Sequence, residues 1–298
     1  MVILNASAGN ADHSPALTSD SLAAAFDKQN IAAEIEFAEP GRLVESAERA
    51  LQRATGKEID AIIVGGGDGT IRSLAAILAG SNIPLGILPL GTLNHFAKDL
   101  GIPIDLESAI GVVAERQVQR VDLGDVNGRT FVNNSSIGIY PFMVLDRDRR
   151  RQLHGMAKWT AMALALWRVL RRFPLRRITL IVQGTAEVHR TPCLFVGNNQ
   201  YGISALSLGK RDRLDAGALW LHVAKPRSRG GFLWMVGRMA LGFVDIGRDL
   251  TTLKADAVEI QAAASRLPVA LDGEVEIIET PLRYEIRPRA LTVFAPMA

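Results

Sequence analysis

Four glycines fall within five residues of the segment Gly65–Thr70, which reads Gly-Gly-Gly-Asp-Gly-Thr. A mostly apolar run, Ile59–Val64, in which only Asp60 is polar, precedes it, and an apolar run with helical spacing, Ile71–Leu78, follows it. This order predicts a strand, a tight turn and a helix. Glycines at this density cost conformational entropy on folding, so we expect the turn to serve a ligand rather than only to reverse the chain.

A glycine-rich turn that opens a helix is a site for phosphate. We expect positive φ at the glycines and a close approach of the backbone to the ligand. Exposed N–H groups and the helix N-terminus attract anions. Asp68 would hold Mg²⁺ or make a positioning hydrogen bond, and Thr70 would cap the helix or donate to a phosphate oxygen. The alternative is a tight turn capped by Asp68.

The turn differs from two common phosphate motifs. It lacks the Gly-Lys-Ser/Thr ending of a Walker A loop, and Thr70 stands where the dinucleotide fingerprint has its third glycine. The phosphate donor would therefore be held in another way.

The first third of the chain alternates strand and helix patterns. Strands are predicted at Val2–Asn5, Ile31–Phe37, Ile59–Val64 and Pro84–Pro89, and helices at Ser19–Gln29, Leu43–Ala54, Ile71–Leu78 and Asn94–Leu100. This predicts a doubly wound parallel α/β sheet with helices on both faces. Ligands bind beyond the carboxyl ends of such strands, where Gly65–Gly69 and Gly91–Thr92 lie.

The pattern changes near Arg120 to short strands with turn pairs such as Asn127-Gly128 and Gln183-Gly184. It predicts an antiparallel β-sandwich interrupted by two helical stretches, Arg147–Phe173 and Gly230–Phe243. We therefore expect one domain at residues 1–120 and a second at residues 121–298. Whether the last residues return to the first domain stays open.

Basic residues are clustered although the net charge is only +3. The clusters are Arg147 with Arg149–Arg151, Arg168 to Arg177, and Lys225 with Arg227 and Arg229. They predict local surfaces for phosphate or anionic lipid. They match no nucleic-acid-binding motif, so no nucleic-acid partner is expected. The single cysteine, Cys193, excludes an intramolecular disulfide and is typical of a cytoplasmic protein.

Several motifs resemble the catalytic domain of diacylglycerol kinases and their bacterial lipid-kinase relatives, which sphingosine and ceramide kinases share. They occur in the family's order along nearly the whole chain: Gly66-Gly67-Asp68-Gly69-Thr70, Leu88–Asn94 with Phe96, Leu100–Pro103, Val121–Gly124, Phe131–Gly138 and Leu271–Glu274. The resemblance implies a nucleotide domain related to those of NAD kinases and phosphofructokinases at 1–120. It implies a lipid-acceptor β-sandwich at 121–298, with ATP and Mg²⁺ as cofactors.

The resemblance also implies roles for individual residues. Gly65, Gly66, Gly67, Asp68, Gly69, Thr70 and Ile71 would cradle the phosphates, and Gly91, Thr92 and Asn94 would contact the nucleotide. Asn5, Ser7 and Gly9 resemble the family's N-terminal Asn-Pro-x-Ser-Gly turn, with Ala6 in place of proline. Asp272 and Glu274 lie in the Asp-Gly-Glu segment that supplies a catalytic carboxylate.

A carboxylate in that segment can accept the proton of an attacking hydroxyl. We favour Glu274 for this role, with Asp272 as metal ligand or base and Asp68 as a further catalytic residue. The alternative is a simple Asp-Gly hairpin turn.

The chain departs from the family pattern at several positions. The family's Asn-Glu is replaced by Arg72-Ser73, its Asn-Asp by Asn94-His95 and its threonine by Ala38. The family's metal-binding Asp-Asp-Gly is Asp215-Ala216-Gly217 in this chain. Asp68 and Asp215 are therefore the two candidate metal ligands.

The sequence thus predicts a kinase that moves the γ-phosphate of ATP onto a lipid hydroxyl, with diacylglycerol as acceptor and phosphatidic acid as product. Alternatives are a sphingoid base, another lipid alcohol, a soluble acceptor such as NAD, or a non-catalytic nucleotide-binding regulator. We expect a cytoplasmic protein in peripheral contact with the inner membrane face, and a homodimer stays open. The two predicted helical stretches, Arg147–Phe173 and Gly230–Phe243, both contain tryptophan. They are either core helices or a face that meets the bilayer.

Overall fold

The structure is a computed structural model. It describes residues 1–6, 17–154, 167–168, 171, 173, 175–201, 211, 213–241, 243 and 246–297, with backbone only for 147–154, 240 and 246. The chain divides into two compact units, and each is described by itself. The first unit comprises Met1–Leu123 with Arg287–Ala298, and the second comprises Gly124–Ile286.

The first unit alternates strands and helices as predicted. Its strands are β1 (Val2–Asn5), β2 (Ile35–Ala38), β3 (Ile62–Gly66) and β4 (Leu85–Pro89), and its helices are α1 (Ser19–Asp27), α2 (Leu43–Thr55), α3 (Asp68–Leu78), α4 (His95–Asp99) and α5 (Leu106–Ala114). Helix α5 is absent from the sequence prediction. Its cap is local, since the Asp105 carboxylate accepts the Ser108 N–H at 2.9 Å, and this bond lowers the pKa of Asp105.

The strands β1 to β4 form a parallel sheet in the order β2-β1-β3-β4. Val293, near the end of β16 (Leu282–Phe294), pairs in parallel with Leu85 of β4. The chain leaves β1 toward β2 on one side and leaves β3 toward β4 on the other. Right-handed crossovers therefore place α1 on one face and α2 with α3 on the opposite face. Consistent with this, α2 packs on α3 and α1 packs on α5.

The second unit is built from antiparallel strands. One sheet has the order β12-β11-β10-β7-β14-β15, and β13 pairs with the start of β16 and with β8, which pairs with β9. The bounds are β5 Val118–Val126 (whose first residues belong to the first unit), β6 Arg129–Phe131, β7 Asn134–Gly138, β8 Arg176–Val182, β9 Thr185–Thr191, β10 Cys193–Asn198, β11 Leu219–Ala224, β12 Leu250–Ala255, β13 Ala257–Ala262, β14 Arg266–Leu271 and β15 Glu274–Glu279. A core of aliphatic side chains with Phe131 and Tyr284 lies within this unit. The predicted fold class, a parallel α/β domain followed by an antiparallel β-sandwich, is confirmed.

Three predictions about the second unit need correction. The sequence pattern predicts two short strands, Leu282–Ile286 and Leu291–Phe294, where the structure has the single 13-residue strand β16, and it predicts no strand where β9 lies. The first helical stretch begins at Ile139, eight residues before its predicted start, and the described helix α6 ends at His154. Pro141 is compatible with that start because proline is tolerated in a first turn, where N–H groups have no helical partner. Most of the rest of that stretch lies outside the described residues. Two further helices are α7 (Arg229–Ala240) and α8 (Ile246–Asp249).

The packing of Gly124 in β5 gives a test of this core. A Cβ at Gly124 would overlap the fully buried ring of Phe131, so Gly124→Ala should lower the free energy of unfolding by about 1–3 kcal/mol. Urea denaturation measures this change. Gly111 in α5 is the control, since nothing lies within 4 Å of a Cβ there. Gly111→Ala should instead raise stability by up to about 1 kcal/mol. Unchanged stability of Gly124→Ala would show that this packing is wrong.

Candidate functional site

The glycine-rich turn lies at the point where the strand order reverses. Gly65 and Gly66 are the last residues of β3, Gly67 precedes α3, and Asp68 is the first residue of that helix. Leu4 of β1 pairs with Gly65, so the ends of β1 and β3 lie side by side while their connections leave in opposite directions. Such a reversal opens a crevice at the carboxyl ends of parallel strands, and ligands of α/β sheets bind there.

The glycines of the turn are required by close packing. A Cβ at Gly65 would lie 2.6 Å from a methyl carbon of Leu4, and one at Gly66 would lie 2.7 Å from the Thr70 side chain. The expected positive φ is wrong, because Gly67 has φ −91° and the positive-φ glycines of the described chain lie elsewhere. These glycines thus serve close approach and not a left-handed backbone.

The two glycine turns touch each other. A Cβ at Gly91 would overlap the Cα of Gly67, and one at Gly67 would lie 3.4 Å from the Cα of Gly91. The turn after β3 and the turn after β4 therefore pack backbone against backbone. A side chain at Gly91 would prevent that approach, whereas a Cβ at Gly67 would only make ordinary contact with Gly91.

The N-terminus of α3 is available to an anion. The Ile71 N–H donates to the Gly67 carbonyl at 3.0 Å, which closes the first turn of the helix. Gly67 has no side chain with which to cap the N–H groups that precede Ile71. These groups and the helix dipole favour a phosphate oxygen at this position. The Ile71 side chain is fully buried, so this residue supports the turn from the core.

Asp68 joins the two turns. Its carboxylate oxygens accept the His95 N–H at 3.2 Å and the Phe96 N–H at 3.1 Å, at the start of α4. This is the positioning hydrogen bond that the sequence analysis gave as one of two options. Each carboxylate oxygen can accept more than one contact, so a role for Asp68 toward Mg²⁺ stays a prediction.

Asn94 determines the shape of the second turn. Its backbone is left-handed, with φ 50°, and its buried side chain accepts the Gly91 N–H at 2.9 Å. The same side chain donates to the carbonyls of Pro89 at 3.0 Å and Gly91 at 2.8 Å. Asn94 thus holds the turn from inside, while Thr92 is exposed at its tip. A nucleotide contact by Thr92 stays a prediction.

Asn5 lies at the end of β1, beside the turn. Its side-chain amide donates to the Thr70 hydroxyl at 3.0 Å, so Thr70 bonds to Asn5 at the start of α3. The other two members of the predicted N-terminal motif, Ser7 and Gly9, lie outside the described residues. The Ser73 hydroxyl, at one of the departures from the family pattern, donates to the Gly69 carbonyl at 3.0 Å.

In the second unit, Asp272 and Gly273 form a two-residue hairpin turn between β14 and β15. Their φ values of 49° and 90° are those that an Asp-Gly turn of this kind requires. The Asp272 carboxylate accepts three backbone N–H groups, from Val132 at 2.8 Å, Asn133 at 2.8 Å and Asn134 at 3.0 Å. The simple hairpin interpretation is therefore right about the turn, and the carboxylate has a further role as an anchor.

Arg211 holds the same segment from its carbonyl side. This arginine is 2% exposed and donates to the Val132 carbonyl at 2.7 Å, to the Asn198 carbonyl at 3.1 Å and to the Asn133 side chain at 2.8 Å. Residues 132–134 are thus bonded by Asp272 on one side and by Arg211 on the other. Sequence reasoning missed Arg211, because a lone arginine carries no signal that separates it from surface charge.

Glu274 begins β15 and is exposed. The Tyr140 hydroxyl, which the sequence did not indicate, lies 3.9 Å from where a Cβ of Gly273 would stand. Directly after residues 132–134, the Ser135 hydroxyl bonds to the buried Tyr284 hydroxyl at 2.9 Å. Burial raises the pKa of Tyr284. The catalytic assignments of Glu274 and Asp272 stay predictions.

Asp215 forms an ion pair with Arg213 at 3.0 Å. Within the part of the chain that the structure describes, no group of three or more His, Cys, Asp or Glu side chains is placed to hold a metal ion. The metal roles predicted for Asp68 and Asp215 stay predictions. In this structure the carboxylate of Asp215 is paired with the guanidinium of Arg213.

A cavity of about 690 Å³ lies elsewhere in the first unit. It is lined at the amino ends of the strands, by residues that include Met1, Pro84 and Arg53. Arg53 pairs with Glu34 at 2.8 Å and holds the pKa of that carboxyl below its usual range. The cavity therefore does not coincide with the glycine turns, which lie at the carboxyl ends.

Comparisons with known proteins agree with this geometry. Residues 1–126 match the diacylglycerol kinase catalytic domain, and residues 143–295 match the YegS C-terminal NAD kinase beta sandwich-like domain. A protein of Mycobacterium tuberculosis strain H37Rv named "Diacylglycerol kinase" is 31% identical over 261 residues, which cover 84% of this chain and 81% of that protein. The chain belongs to the diacylglycerol kinase catalytic domain family.

Other relatives place this kinase among bacterial lipid kinases. A Pseudomonas aeruginosa PAO1 protein named "Probable lipid kinase YegS-like" is 29% identical over 255 residues, with 84% of this chain and 81% of that protein covered. A crystal structure of a diacylglycerol kinase from Bacillus anthracis str. Sterne has a TM-score of 0.72 at 22% identity, over 99% of this chain and 96% of that chain. This similarity supports the fold. The protein is thus a lipid kinase of this family, and such kinases use ATP.

Among the described residues, the helices are too short or too polar to cross a membrane.

The contact between the two turns predicts a loss of nucleotide binding. Gly91→Ala forces apart the backbones of Gly67 and Gly91, and overpacking of this kind costs about 1–3 kcal/mol, which corresponds to about 5–150-fold in ATP affinity. Isothermal titration with a non-hydrolysable ATP analogue measures it. Gly41→Ala is the matched control in the same unit, because nothing lies within 4 Å of a Cβ there. Equal affinities of the two variants would contradict the proposed packing of the turns.

Proposed function

We propose that this kinase transfers the γ-phosphate of ATP to a lipid hydroxyl, with diacylglycerol as acceptor and phosphatidic acid as product. The observation that carries the proposal is the Gly65–Thr70 turn, which presents an uncapped helix N-terminus at the reversal of the strand order. Phosphate is the ligand that backbone N–H groups and a helix dipole favour.

The nucleotide phosphates would be held by backbone groups of the two glycine turns. Asp68 and Asn94 act through the turns, since their side chains bond to the backbone of α4 and of Gly91. Mg²⁺ commonly binds through one or two carboxylates together with the substrate phosphates. Asp68 fits such a site, and the ion would neutralise charge on the transferred phosphoryl group.

The choice of diacylglycerol as the acceptor is supported by a named relative. The Mycobacterium tuberculosis relative carries the name diacylglycerol kinase, and this supports a glycerolipid alcohol as the acceptor. Because that lipid resides in a bilayer, we propose that the protein is cytoplasmic and works in peripheral contact with the inner membrane face.

The Asp-Gly-Glu segment would accept the proton of the lipid hydroxyl. The Asp272 carboxylate is already bonded to three backbone N–H groups, and a carboxylate so stabilised as an anion is a weaker proton acceptor. Glu274 is the exposed carboxylate of the segment. We therefore assign the base to Glu274 and a positioning role to Asp272.

Two substitutions separate these roles. Glu274→Gln should lower kcat by about 100-fold or more at unchanged melting temperature, because a general base contributes about 10²–10⁴-fold. Asp272→Asn should also lower the free energy of unfolding by about 1–3 kcal/mol, because its amide leaves backbone N–H groups unpaired. Turnover kinetics and thermal denaturation give both readouts. A fully active Glu274→Gln protein beside an inactive, equally stable Asp272→Asn protein would assign the base to Asp272.

Radiolabelled ATP tests the reaction itself. With a panel of diacylglycerol, sphingosine, another lipid alcohol and NAD, we expect label in phosphatidic acid. Asp68→Ala should reduce that transfer by about 100-fold or more, since both turns lose the bonds that position them for electrostatic stabilisation.

Other outcomes of the same assay would redirect the proposal. Label found only in NAD would make the protein a kinase of a soluble acceptor. Transfer to diacylglycerol that is unaffected by Asp68→Ala would exclude the turn as the phosphate site. Nucleotide binding without transfer to any acceptor would favour the non-catalytic regulator.

A further inference from the structure

Helix α7 carries apolar side chains on opposite sides. Phe232 and Met235 are buried and pack with Ile139 and Leu250 in a small core. Leu233 and Trp234, which face the other way, are 49% and 63% exposed. A helix that is apolar on all sides is normally buried or meets a membrane. The outer side of α7 is therefore unusual for a helix that faces only water.

The outer apolar side chains form one patch along the helix. At 3.6 residues per turn, Leu233, Trp234 and Leu241 project on the same side, together with Gly230 and Gly237. Leu241, the residue directly after the helix, is 71% exposed. We call Leu233, Trp234 and Leu241 the outer face of α7. Contiguous exposed apolar patches mark interaction sites.

The end of the helix is held in place by internal bonds. The Arg238 guanidinium donates to the Phe243 carbonyl at 3.0 and 2.9 Å and pairs with Asp249 at 3.3 Å. The exposed ring of Phe243 thus follows the outer face at a defined position. Arg238 serves this internal purpose and is not available to a partner.

The segment that carries the outer face has charges of one sign. Residues 225–243 contain four basic residues and no aspartate or glutamate. Arg227 and Arg229 are exposed at the start of the helix, and neither has an ion-pair partner among the described residues. An apolar face with a tryptophan and flanking arginines is complementary to an anionic lipid surface, with side chains at the level of the acyl chains and cations on the headgroups.

A second exposed tryptophan lies in the other Trp-bearing stretch. Trp167 is 55% exposed, and the guanidinium of Arg171 lies 5.3 Å from the centre of its ring. Farther along the chain, the Phe173 ring packs edge-on against Phe232 of α7 at 5.9 Å. The end of the first stretch thus contacts the buried side of α7.

We propose that the outer face of α7, with Arg227 and Arg229, docks this kinase on an anionic lipid bilayer. The proposal rests on the proposed function, which requires access to a lipid acceptor. Self-association is disfavoured, because a two-fold interface would join two surfaces that both carry positive charge. A helix of 12 residues is about 18 Å long and would lie in the interface without spanning the bilayer.

Co-sedimentation with vesicles tests the docking without any turnover. Wild-type protein should bind vesicles of phosphatidylglycerol and phosphatidylcholine, and bind pure phosphatidylcholine vesicles more weakly. The double variant Leu233→Ser with Trp234→Ser, and the double variant Arg227→Glu with Arg229→Glu, should each lower the partition coefficient for anionic vesicles by about tenfold or more. Brominated lipid should quench tryptophan fluorescence of the wild type more than of the Trp234→Ser variant.

The matched control makes the same kinds of change, apolar to serine and basic to glutamate, on the other unit. Val118, which is 53% exposed, and Lys57, which is exposed, are replaced in the variant Val118→Ser with Lys57→Glu. It should bind vesicles as the wild type does. All variants should keep the wild-type melting temperature and phosphorylate a short-chain diacylglycerol dispersed in detergent at wild-type rates.

Three outcomes would overturn the docking surface. They are unchanged vesicle binding by both α7 variants, equal losses in the control, and a dimer in solution that the α7 variants convert to monomer while vesicle binding persists. Failure of the proposed function gives a different result, because wild-type protein would then transfer no label to any lipid even in detergent.

Discussion

The candidate nucleotide site depends on one close approach, that of the Gly67 and Gly91 backbones. With glycine at both positions, the turns after two neighbouring strands pack against each other without side chains between them. Asp68 then bonds across to the start of α4, and Asn94 holds the second turn from inside. The N-terminus of α3 is thereby placed, uncapped, at the reversal of the strand order. In the proposed site, backbone N–H groups and the helix dipole would supply the positive potential that a lysine supplies in a Walker A loop.

In the second unit, side chains hold the backbone around the Asp-Gly-Glu segment. Asp272 accepts the N–H groups of residues 132–134, and the buried Arg211 donates to the carbonyl side of the same segment. A buried arginine is costly unless its donors are satisfied, so this network also limits how the segment can move. In each unit, the backbone of the candidate segment is thus fixed by hydrogen bonds or by close packing.

Much of the fold could be read from the sequence, because β3 and β4 are buried on both faces and their apolar runs are continuous. The failures have physical reasons. Helix α5 contains Gly111 and the β-branched residues Ile110, Val112 and Val113, which weaken a helical pattern. Strand β16 contains Pro288, which divides its pattern into two apparent strands. For the glycines of the turn, composition indicated backbone freedom, but the structure shows that contacts with Leu4, Thr70 and the other turn exclude a Cβ. Such contacts join residues far apart in the chain, and no local pattern contains them.

The sequence alone determined the glycine-rich turn between β3 and α3, the change from α/β to antiparallel organisation and the resemblance to lipid kinases. Each of these follows from local periodicity or from a contiguous motif. Only the tertiary structure decided the order β2-β1-β3-β4, the tie from Asp68 to α4, the burial of Arg211 and the exposure of Trp234. An apolar residue in a helical pattern can face the core or the solvent. Which of the two it does depends on the elements packed around it, and those are brought there by the fold.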